Sequence, residues 1–359
     1  MRLVVTGGGT GGHVFPALEV ARLAVAQNHD VAYLGSHRGQ ERASCQKAGV
    51  SFRGFPSEPV YRLASLRGLR AVANLLRATL QARKALQDGR PDVVFSTGGY
   101  SSAPIVRAAM MLGIPFVLHE QNAVPGRSNL LSAKRAHTVA TTFHAASQHF
   151  EGCHVERTGL PVRSELREIA LSKSLSMDAY PMQVLVVGGS QGAASINEAA
   201  LQTATRMTGD LRWLHVTGKN HFEPLFASYE KLGLGAVYKP KAYLESAEMA
   251  EAYSEAAVVV GRSGAGTLSE LAAFGIPSVL IPYPQAHANH QAENAKEFAD
   301  MGAAVIIAQP DLHPAKLEES LQLWITSATA RDNAREALRT WDQPDAAKLI
   351  LQILHKACA

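Results

Sequence analysis

The sequence contains only three cysteines in 359 residues, at Cys45, Cys153 and Cys358. They lie far apart, form no Cys-x-x-Cys pair, and are odd in number. This number and spacing of cysteines disfavours both a disulfide framework and a structural zinc site. We expect the protein to work in a reducing compartment.

Two other features are missing. The longest apolar stretch, 108–118, is about half of the ~20 residues that a bilayer span needs, and it contains Pro115. We therefore predict no transmembrane helix. The sequence also has no Asp-x-Asp, the usual acidic clamp for a magnesium-bound diphosphate. A bound diphosphate would have to be stabilised by backbone N–H groups, helix dipoles and arginine.

Charged residues make up only 18% of the chain, and their signs are unevenly distributed. Residues 1–161 contain 18 Lys and Arg against 9 Asp and Glu, a net charge of +9. The remainder contains 17 against 22, a net charge of −5. A basic half predicts an anionic partner, which could be nucleic acid, anionic lipid or a phosphorylated substrate.

Short apolar runs alternate with helical patterns along two successive stretches of the chain. The first series comprises 3–6, 31–34, 92–96, 115–118 and 137–141, and the second comprises 183–187, 213–216, 257–260, 278–282 and 304–307. This alternation predicts parallel sheets covered by helices on both faces. We expect an α/β protein with two Rossmann-like domains, 1–161 and 162–342, whose sheets face each other across a cleft. We expect a terminal helix within 343–359, which could pack on the C-terminal domain or return to the N-terminal domain.

Each series opens with a strand that runs into a glycine-rich loop. In the first, Gly7 to Gly12 is followed by His13, and an apolar helix pattern begins at Val14. Backbone N–H groups of such a loop and the helix N-terminus suit a phosphate or a polar substrate. The spacing formally matches a dinucleotide fingerprint. The second strand, however, ends without the carboxylate that NAD requires, and His37 and Arg38 leave NADP possible.

Polar residues follow several of the predicted strands. A buried strand ends in the polar run His119-Glu120-Gln121-Asn122. Burying four polar side chains there costs free energy unless they face a cleft. Gly98 to Pro104 forms another flexible loop, rich in hydrogen-bond donors. Arg262 to Glu270 precedes and begins a helix, and together with the loop 188–192 it predicts a nucleotide site. An ordinary capped helix start is the alternative reading of that segment.

The run from His287 to Asn294 could bind carbohydrate hydroxyls through paired amide hydrogen bonds. His287 and His290 would suit zinc, but a third ligand at a suitable spacing is missing, so we predict no metal. Residues 61–86 contain six basic residues and no acidic one among leucines at helical spacing. That pattern is typical of a helix on an anionic membrane surface, although many amphipathic helices merely cover a sheet.

Taken in order, these motifs resemble the MurG-type transferase family of peptidoglycan synthesis. The resemblance covers essentially the whole chain. The matching motifs are Gly8 to His13, Gly98 to Pro104, His119 to Asn122, Thr158 to Arg163, Gly188 to Gly192, Arg262 to Glu270, and Gln291 with Asn294. It implies a GT-B fold and a hexosyltransferase that moves N-acetylglucosamine, with inversion and without metal or cofactor, from its UDP donor to the 4-hydroxyl of a lipid-linked muramyl-pentapeptide. It also implies peripheral attachment to the cytoplasmic face of the bacterial plasma membrane, and no nucleic acid.

The resemblance assigns roles residue by residue. The N-terminal domain takes the acceptor and the C-terminal domain takes the donor. The residues implied are Thr10, Gly11, Gly12 and Asn122 near the transferred sugar; Arg163 and Ser190 on the nucleotide; Ala265, Gly266, Thr267, Leu268 and Ser269 around the diphosphate; Glu270 on the ribose; Leu244 on uracil; and Gln291 on the sugar. His13 is our candidate base for the acceptor hydroxyl.

Two residues depart from the family pattern. Leu160 stands where the family usually has Asn, and His290 precedes Gln291 where some relatives have two glutamines. The alternatives are another GT-B-like UDP-sugar enzyme (an epimerase or a glycolipid transferase), an NADP-dependent oxidoreductase, and a non-catalytic nucleotide-sugar sensor.

Overall fold

A computed structural model of the chain describes residues 1–58, 66–172, 182–189, 191–207 and 211–358. The chain forms two compact units. Unit 1 comprises Met1–Arg163 together with Gln343–Ala359, and unit 2 comprises Ser164–Asp342. The terminal segment therefore returns to the unit in which the chain begins.

Unit 1 is built on a seven-stranded parallel sheet. Its strands are β1 (Arg2–Thr6), β2 (Asp30–Ser36), β3 (Ser51–Phe55), β4 (Val93–Ser96), β5 (Phe116–Glu120), β6 (Thr138–Thr141) and β7 (Val155–Arg157). They lie in the order β3-β2-β1-β4-β5-β6-β7. Side chains alternate across β1: Leu3 and Val5 enter one buried cluster and Val4 enters the other. Such burial on both faces explains why these strands are almost wholly apolar.

Helices cover both faces of this sheet. They are α1 (Gly11–Ala26), α2 (Glu41–Lys47), α3 (Leu66–Gly89), α4 (Ala103–Leu112), α5 (Arg127–Ser132) and, from the end of the chain, α14 (Ala346–Cys358). On one face α14 packs against α1, β4 and β5, where Ile350 and Leu354 are fully buried. On the other face α3 packs along α4. The buried residues Ala78, Ala82 and Leu86 place one stripe of α3 on the core.

Unit 2 is built on a six-stranded parallel sheet in the order β10-β9-β8-β11-β12-β13. The strands are β8 (Met182–Val187), β9 (Leu211–Val216), β10 (Tyr238–Lys241), β11 (Ala256–Gly261), β12 (Ser278–Leu280) and β13 (Ala304–Ile306). The helices are α6 (Ser164–Ser172), α7 (Ala194–Arg206), α8 (Phe222–Leu232), α9 (Ser246–Glu255), α10 (Ala265–Phe274), α11 (His290–Asp300), α12 (Pro314–Thr326) and α13 (Ala328–Trp341). An ion pair of Arg167 with Asp342 ties α6 to the residue that follows α13.

The predicted parallel sheets are confirmed, but the sequence patterns missed three strands. β3, β7 and β10 are edge strands of their sheets, and their sequences are Ser-Phe-Arg-Gly-Phe, Val-Glu-Arg and Tyr-Lys-Pro-Lys. An edge strand is solvated along one side, so it accepts charged residues and even proline, which hides the apolar signal. None of the described helices combines the length and apolarity that a membrane span requires.

The order of strands determines where each unit can bind a ligand. Connections reverse direction between β1 and β4 in unit 1, and between β8 and β11 in unit 2. At such a switch point, the loops that follow the two central strands diverge and leave a crevice at the carboxyl edge of the sheet. The glycine-rich segments predicted from the sequence follow these four strands.

Candidate active site

The crevice of unit 1 is bordered by two backbone segments that almost touch. After β1 and β4, the N–H of Gly8 donates to the carbonyl oxygen of Gly98 (3.3 Å), and the N–H of Thr97 donates to that of Thr6 (3.0 Å). Gly99 has a φ of +85°, and a Cβ there would lie 2.2 Å from the Gly8 oxygen. Only glycine allows this approach, so the absence of side chains in the loop is a packing requirement.

The first turn of α1 holds four of the predicted site residues together. Thr10 is the N-cap residue in an extended conformation, and Gly11, Gly12 and His13 begin the helix. Thr10 Oγ1 lies 3.0 Å from His13 Nδ1. The Thr97 hydroxyl donates to the main-chain oxygen of His13 (2.8 Å), which anchors this turn to the neighbouring loop. The helix N-terminus, the Thr10 hydroxyl and the partly exposed imidazole therefore face one small region.

His119, at the end of β5, is fully buried and has a structural role. Its Nε2 lies 2.9 Å from the Gly159 oxygen, and its Nδ1 lies 3.0 Å from the Gln121 amide nitrogen. This pattern fits the neutral tautomer with the proton on Nε2. Burial lowers the pKa of His119 to about 4. A neutral, buried imidazole of this kind supports the neighbouring segments and does not reach a ligand.

Glu120 organises the loop that presents Asn122. Its carboxylate accepts hydrogen bonds from the N–H of Asn122 (3.0 Å), the N–H of Gly126 (3.1 Å) and the amide of Asn129 (2.8 Å). Burial raises the pKa of this carboxyl, and those hydrogen bonds oppose the rise. The four polar residues 119–122 therefore differ in position. Asn122 is half-buried in the loop, whereas the residues before it hold that loop in place.

The crevice of unit 2 is also bordered by a close glycine contact: a Cβ on Gly261, at the end of β11, would lie 2.6 Å from the Val187 oxygen at the end of β8. On the other side of β8, the loops after β8 and β9 pack together, because a Cβ on Gly192, whose φ is +76°, would lie 2.1 Å from the Thr217 oxygen. Ser190, in the same loop, lies outside the described residues. Beneath the loop, the Asn197 amide donates to the same Thr217 oxygen (2.9 Å) and its Oδ1 accepts from His215 Nε2 (2.9 Å).

The helix α10 begins at the carboxyl edge beside this loop. Gly264 is its N-cap, and a Cβ on Gly264 or Gly266 would meet open space. Leu268 and Ser269 are buried, and the N–H of Leu268 donates to the Gly264 oxygen (3.0 Å), while Thr267 is partly exposed. No acidic residue lies in the first turn. Backbone N–H groups and the helix dipole thus favour an anion at this end of α10.

Glu270 follows one turn later and is held by a tyrosine that the sequence reading missed. The buried Tyr253 hydroxyl donates to Glu270 Oε2 (3.0 Å), and its ring packs on Phe274. The two partners are distant in sequence, so no local pattern could join them. Leu244 is buried in the segment between β10 and α9. Arg163 is half-buried at the end of unit 1, after β7.

Three loops of unit 2 converge around Arg262. Its guanidinium donates to the oxygens of Ile281 (3.0 Å) and Gln309 (2.7 Å) and lies 5.3 Å from the centre of the Tyr283 ring. Burial lowers the pKa of Arg262. The side-chain oxygen of Gln291 accepts from the N–H of Tyr283 (2.9 Å). Gln291 is thereby fixed at the start of α11, beside the end of β12.

His287 begins a tight turn in which Ala288 and Asn289 adopt left-handed φ values of 51° and 56°, and His290 is the first residue of α11. His290 Nδ1 lies 2.9 Å from the His287 oxygen, and burial lowers the pKa of His290. Within the part of the chain that the structure describes, no group of three or more His, Cys, Asp or Glu side chains is arranged to hold a metal ion.

Comparisons with known proteins match both units. The profile of the glycosyltransferase family 28 N-terminal domain matches residues 3–141, and that of the C-terminal domain matches residues 183–350. A Bacillus licheniformis relative, named UDP-N-acetylglucosamine--N-acetylmuramyl-(pentapeptide) pyrophosphoryl-undecaprenol N-acetylglucosamine transferase, is 35% identical over 99% of this chain and 98% of its own length. The structure of MurG from Acinetobacter baumannii superposes with a TM-score of 0.80 at 30% identity, covering 99% of each chain.

A more distant structure shares the fold alone. UDP-GlcNAc 2-epimerase from Neisseria meningitidis, solved with UDP-GlcNAc, superposes with a TM-score of 0.69 at 13% identity over 99% of this chain and 100% of its own. The two-sheet architecture is therefore common to proteins of different activity. The fold alone does not identify the activity, and the family is shown by sequence similarity.

The buried His215 predicts a pH dependence of stability in unit 2. Burial lowers its pKa to about 3, well below that of an unfolded histidine. Its contribution is fully present above about pH 6.5 and is lost as the pH falls, because only the unfolded chain takes up the proton. The slope is about 1.4 kcal/mol per pH unit.

Urea unfolding at pH 7.5 and pH 5.0 measures this, followed by the fluorescence of Trp213, Trp324 and Trp341, all of which lie in unit 2. We expect the loss of stability between the two pH values to be about 2 kcal/mol smaller in His215→Gln than in the unsubstituted protein. The control His221→Gln, at a more exposed histidine, should keep the original loss. Equal losses in all three proteins would contradict the assignment.

Proposed function

The chain belongs to glycosyltransferase family 28, and on that basis we propose that it transfers N-acetylglucosamine from UDP-N-acetylglucosamine to a lipid-linked acceptor. The acceptor is N-acetylmuramyl-pentapeptide on undecaprenyl diphosphate, and its 4-hydroxyl receives the sugar. This reaction makes lipid II from lipid I in peptidoglycan synthesis. The observation that carries the proposal is the nearly full-length match, at 35% identity, to the Bacillus licheniformis relative named for this transfer.

The donor side of the proposal is supported by the chemistry of unit 2. We assign Ala265 to Ser269 to the diphosphate, for which the first-turn N–H groups of residues 265–267 and the helix dipole are suited. Glu270, held through its Oε2, can accept from ribose hydroxyls, and Gln291 offers an amide to the sugar. We assign Leu244 to the uracil, and Arg163 and Ser190 to the nucleotide. Backbone dipoles in a site without water stabilise a leaving diphosphate without a metal.

The acceptor side is assigned to the first turn of α1 and to Asn122. In the transfer, the acceptor 4-hydroxyl oxygen bonds to the anomeric carbon of the sugar, and the bond from that carbon to the diphosphate oxygen breaks. UDP leaves with the electron pair, and the configuration inverts. When His13 Nδ1–H donates to Thr10 Oγ1, Nε2 keeps its lone pair and can take the hydroxyl proton.

The experiment that tests the function is transfer of labelled N-acetylglucosamine from its UDP donor to the muramyl-pentapeptide lipid in the presence of EDTA. We expect labelled disaccharide lipid at an undiminished rate, because the predicted site has no metal. Release of UDP without labelled lipid would keep the donor site but point to an epimerase, a hydrolase or another acceptor. If UDP is not released and no labelled lipid forms, the proposal fails and NADP binding becomes the next test.

Substituting the candidate base should affect turnover alone. We expect His13→Ala to lower kcat by ~10²–10⁴-fold, the usual contribution of a general base. The affinity for UDP should be unchanged, since His13 lies in unit 1. His137→Ala is the matched control. This exposed histidine precedes β6, so it lies at the amino ends of the strands, whereas His13 lies beyond their carboxyl ends. Near-normal turnover of His13→Ala would show that another group accepts the proton.

Unit 1 also has a surface suited to lipid. Of its seven exposed large apolar side chains among the described residues, five lie on the neighbouring helices α3, α4 and α5. They are Leu76, Leu80, Met111, Leu130 and Leu131. Exposed basic residues lie on the same helices, namely Arg77, Lys84, Arg107 and Arg127, and on the 3₁₀ turn that follows α5, namely Lys134 and Arg135. Residues 61–65 of the predicted amphipathic run lie outside the described residues.

We propose that this surface, formed by the exposed side chains of α3, α4 and α5, binds an anionic membrane. The apolar side chains would enter the headgroup region while lysine and arginine contact the lipid phosphates. The acceptor is itself anchored in the bilayer, so peripheral binding brings the acceptor crevice to its substrate. We place the protein at the cytoplasmic face of the plasma membrane of the bacterium.

Vesicle sedimentation tests the membrane surface. Phosphatidylglycerol vesicles should bind the protein, and 1 M salt should weaken binding because it shortens the Debye length from ~10 Å to ~3 Å. Leu80→Gln and Leu131→Gln should each reduce binding by roughly tenfold or more, since burying one leucine contributes about 1.5–3 kcal/mol. Leu232→Gln, a comparably exposed leucine in unit 2, is the control. Binding that ignores anionic lipid would refute this surface.

A further inference from the structure

Beneath the glycine loop of unit 1 lies a carboxylate to which neither the resemblance nor the proposed reaction assigns a role. Glu41 is the first residue of α2, and its side chain is fully buried. Its Oε1 accepts a hydrogen bond from the N–H of Gly9 (3.2 Å). Glutamate at this position in a helix is common on sequence grounds, because acidic residues favour the first turn. Here the side chain turns inward instead of facing solvent.

The two neighbouring loops leave room for this carboxyl group by having no side chains. A Cβ on Gly8 would lie 2.0 Å from Glu41 Oε1, and a Cβ on Gly39 would lie 2.3 Å from Oε2. On the other side of the loop, a Cβ on Gly9 would lie 2.7 Å from the Tyr100 ring. The loop is therefore held between the Glu41 carboxyl and the Tyr100 ring.

A second contact joins the start of α2 to the start of α1. The Gln40 amide nitrogen lies so near Gly11 that a Cβ there would be 3.0 Å away. Gly9 has a φ of +94°, a conformation that the chain keeps only where its surroundings specify it. The hydrogen bond from its N–H to Glu41 is an interaction that specifies it. The direction of the following N–H groups, at Thr10 to Gly12, depends on the same turn.

Burying a carboxyl group at position 41 costs free energy of folding. Burial raises the pKa of the Glu41 carboxyl, whereas interactions with its own backbone N–H, with the N–H of Gly9 and with the Ser101 hydroxyl lower it. Oε2 is buried and has no hydrogen-bond partner among the described residues. A buried apolar residue of similar size would satisfy packing alone at lower cost, because it needs no partner. The arrangement is therefore better explained by what the carboxylate does to the loop than by packing.

We infer that Glu41 is a positioning residue: it fixes the glycine loop and the first turn of α1, and thereby controls use of the acceptor. It does not touch the reacting atoms, since the loop lies between it and the crevice. This inference rests on the proposed function, which gives the acceptor to that turn. The donor residues of unit 2 are not part of this contact, so the effect is specific to the acceptor.

Two substitutions separate the hydrogen bond from the charge and the shape. Glu41→Gln keeps an oxygen that can accept from Gly9, whereas Glu41→Leu keeps the approximate volume and removes the acceptor. We expect Glu41→Leu to lower kcat/KM for the muramyl-pentapeptide lipid by roughly tenfold or more, because the charge-assisted hydrogen bond that orients the acceptor turn is lost. Glu41→Gln should stay within about threefold, and the Kd for UDP should stay within about twofold in both.

Gly39→Ala provides a second test that leaves Glu41 and Gly9 in place. Its Cβ would displace Oε2, and we expect the same selective loss of acceptor use. Gly49→Ala is the matched control, because Gly49 also has a positive φ, of +68°, but a Cβ there meets open space. Gly39, at a φ of +98°, lies farther from the left-handed region open to alanine than Gly49 does, so urea unfolding is measured beside the kinetics, and only a loss of acceptor use in the folded protein is assigned to displacement of the carboxyl group. If Glu41→Leu fails to fold, the comparison of Gly39→Ala with Gly49→Ala still tests the positioning role of Glu41.

Each outcome has a separate meaning. Normal acceptor kinetics in Glu41→Leu, or equal kinetics of Gly39→Ala and Gly49→Ala, would overturn the positioning role. Equal losses in Glu41→Gln and Glu41→Leu would overturn the hydrogen-bond account, because charge would then be the requirement. A weakened Kd for UDP would overturn its specificity for the acceptor. Absence of transfer in the unsubstituted protein is distinguishable from all of these, since it refutes the proposed function itself.

Discussion

The carbonyl oxygen of Gly8 occupies the place where a side chain on Gly99 would begin. This contact between two backbone segments fixes the spacing of the loops after β1 and β4, and so determines the width of the crevice in unit 1. In unit 2 the corresponding contact joins β11 to β8, because a Cβ on Gly261 would lie 2.6 Å from the Val187 oxygen. In both units the backbone itself forms the edge of the crevice, which leaves its N–H groups close to whatever binds there.

Loops without side chains need support from elsewhere, and both units supply it with buried polar groups. Glu41 holds the first loop of unit 1, Glu120 holds the segment around Asn122, and His215 with Asn197 holds the loop of unit 2. Each of these groups is costly to bury, and its hydrogen bonds offset part of that cost. Polar residues lying below a loop can thus specify its shape more narrowly than apolar packing, because hydrogen bonds are directional.

The sequence predicted what is encoded locally and missed what depends on distant partners. The central strands and the glycine loops were predicted because apolar runs and adjacent glycines are visible within a few residues. The edge strands β3, β7 and β10 were missed, since solvent on one side permits Arg, Glu and Pro. Glu41 and Tyr253 were missed for a different reason. Their partners, Gly9 and Glu270, lie 32 and 17 residues away, and only the fold brings them together.

The polar run 119–122 shows how such a prediction can be partly right. Its burial cost was read as a sign of function, yet His119 and Glu120 are satisfied entirely by protein groups. A buried polar residue therefore identifies the neighbourhood of a site without identifying which residue meets the ligand. In this protein the groups assigned to substrate are backbone N–H groups together with partly exposed side chains such as His13, Asn122 and Glu270. The titratable groups below them are shielded, so the structure separates the part that binds from the part that keeps its shape.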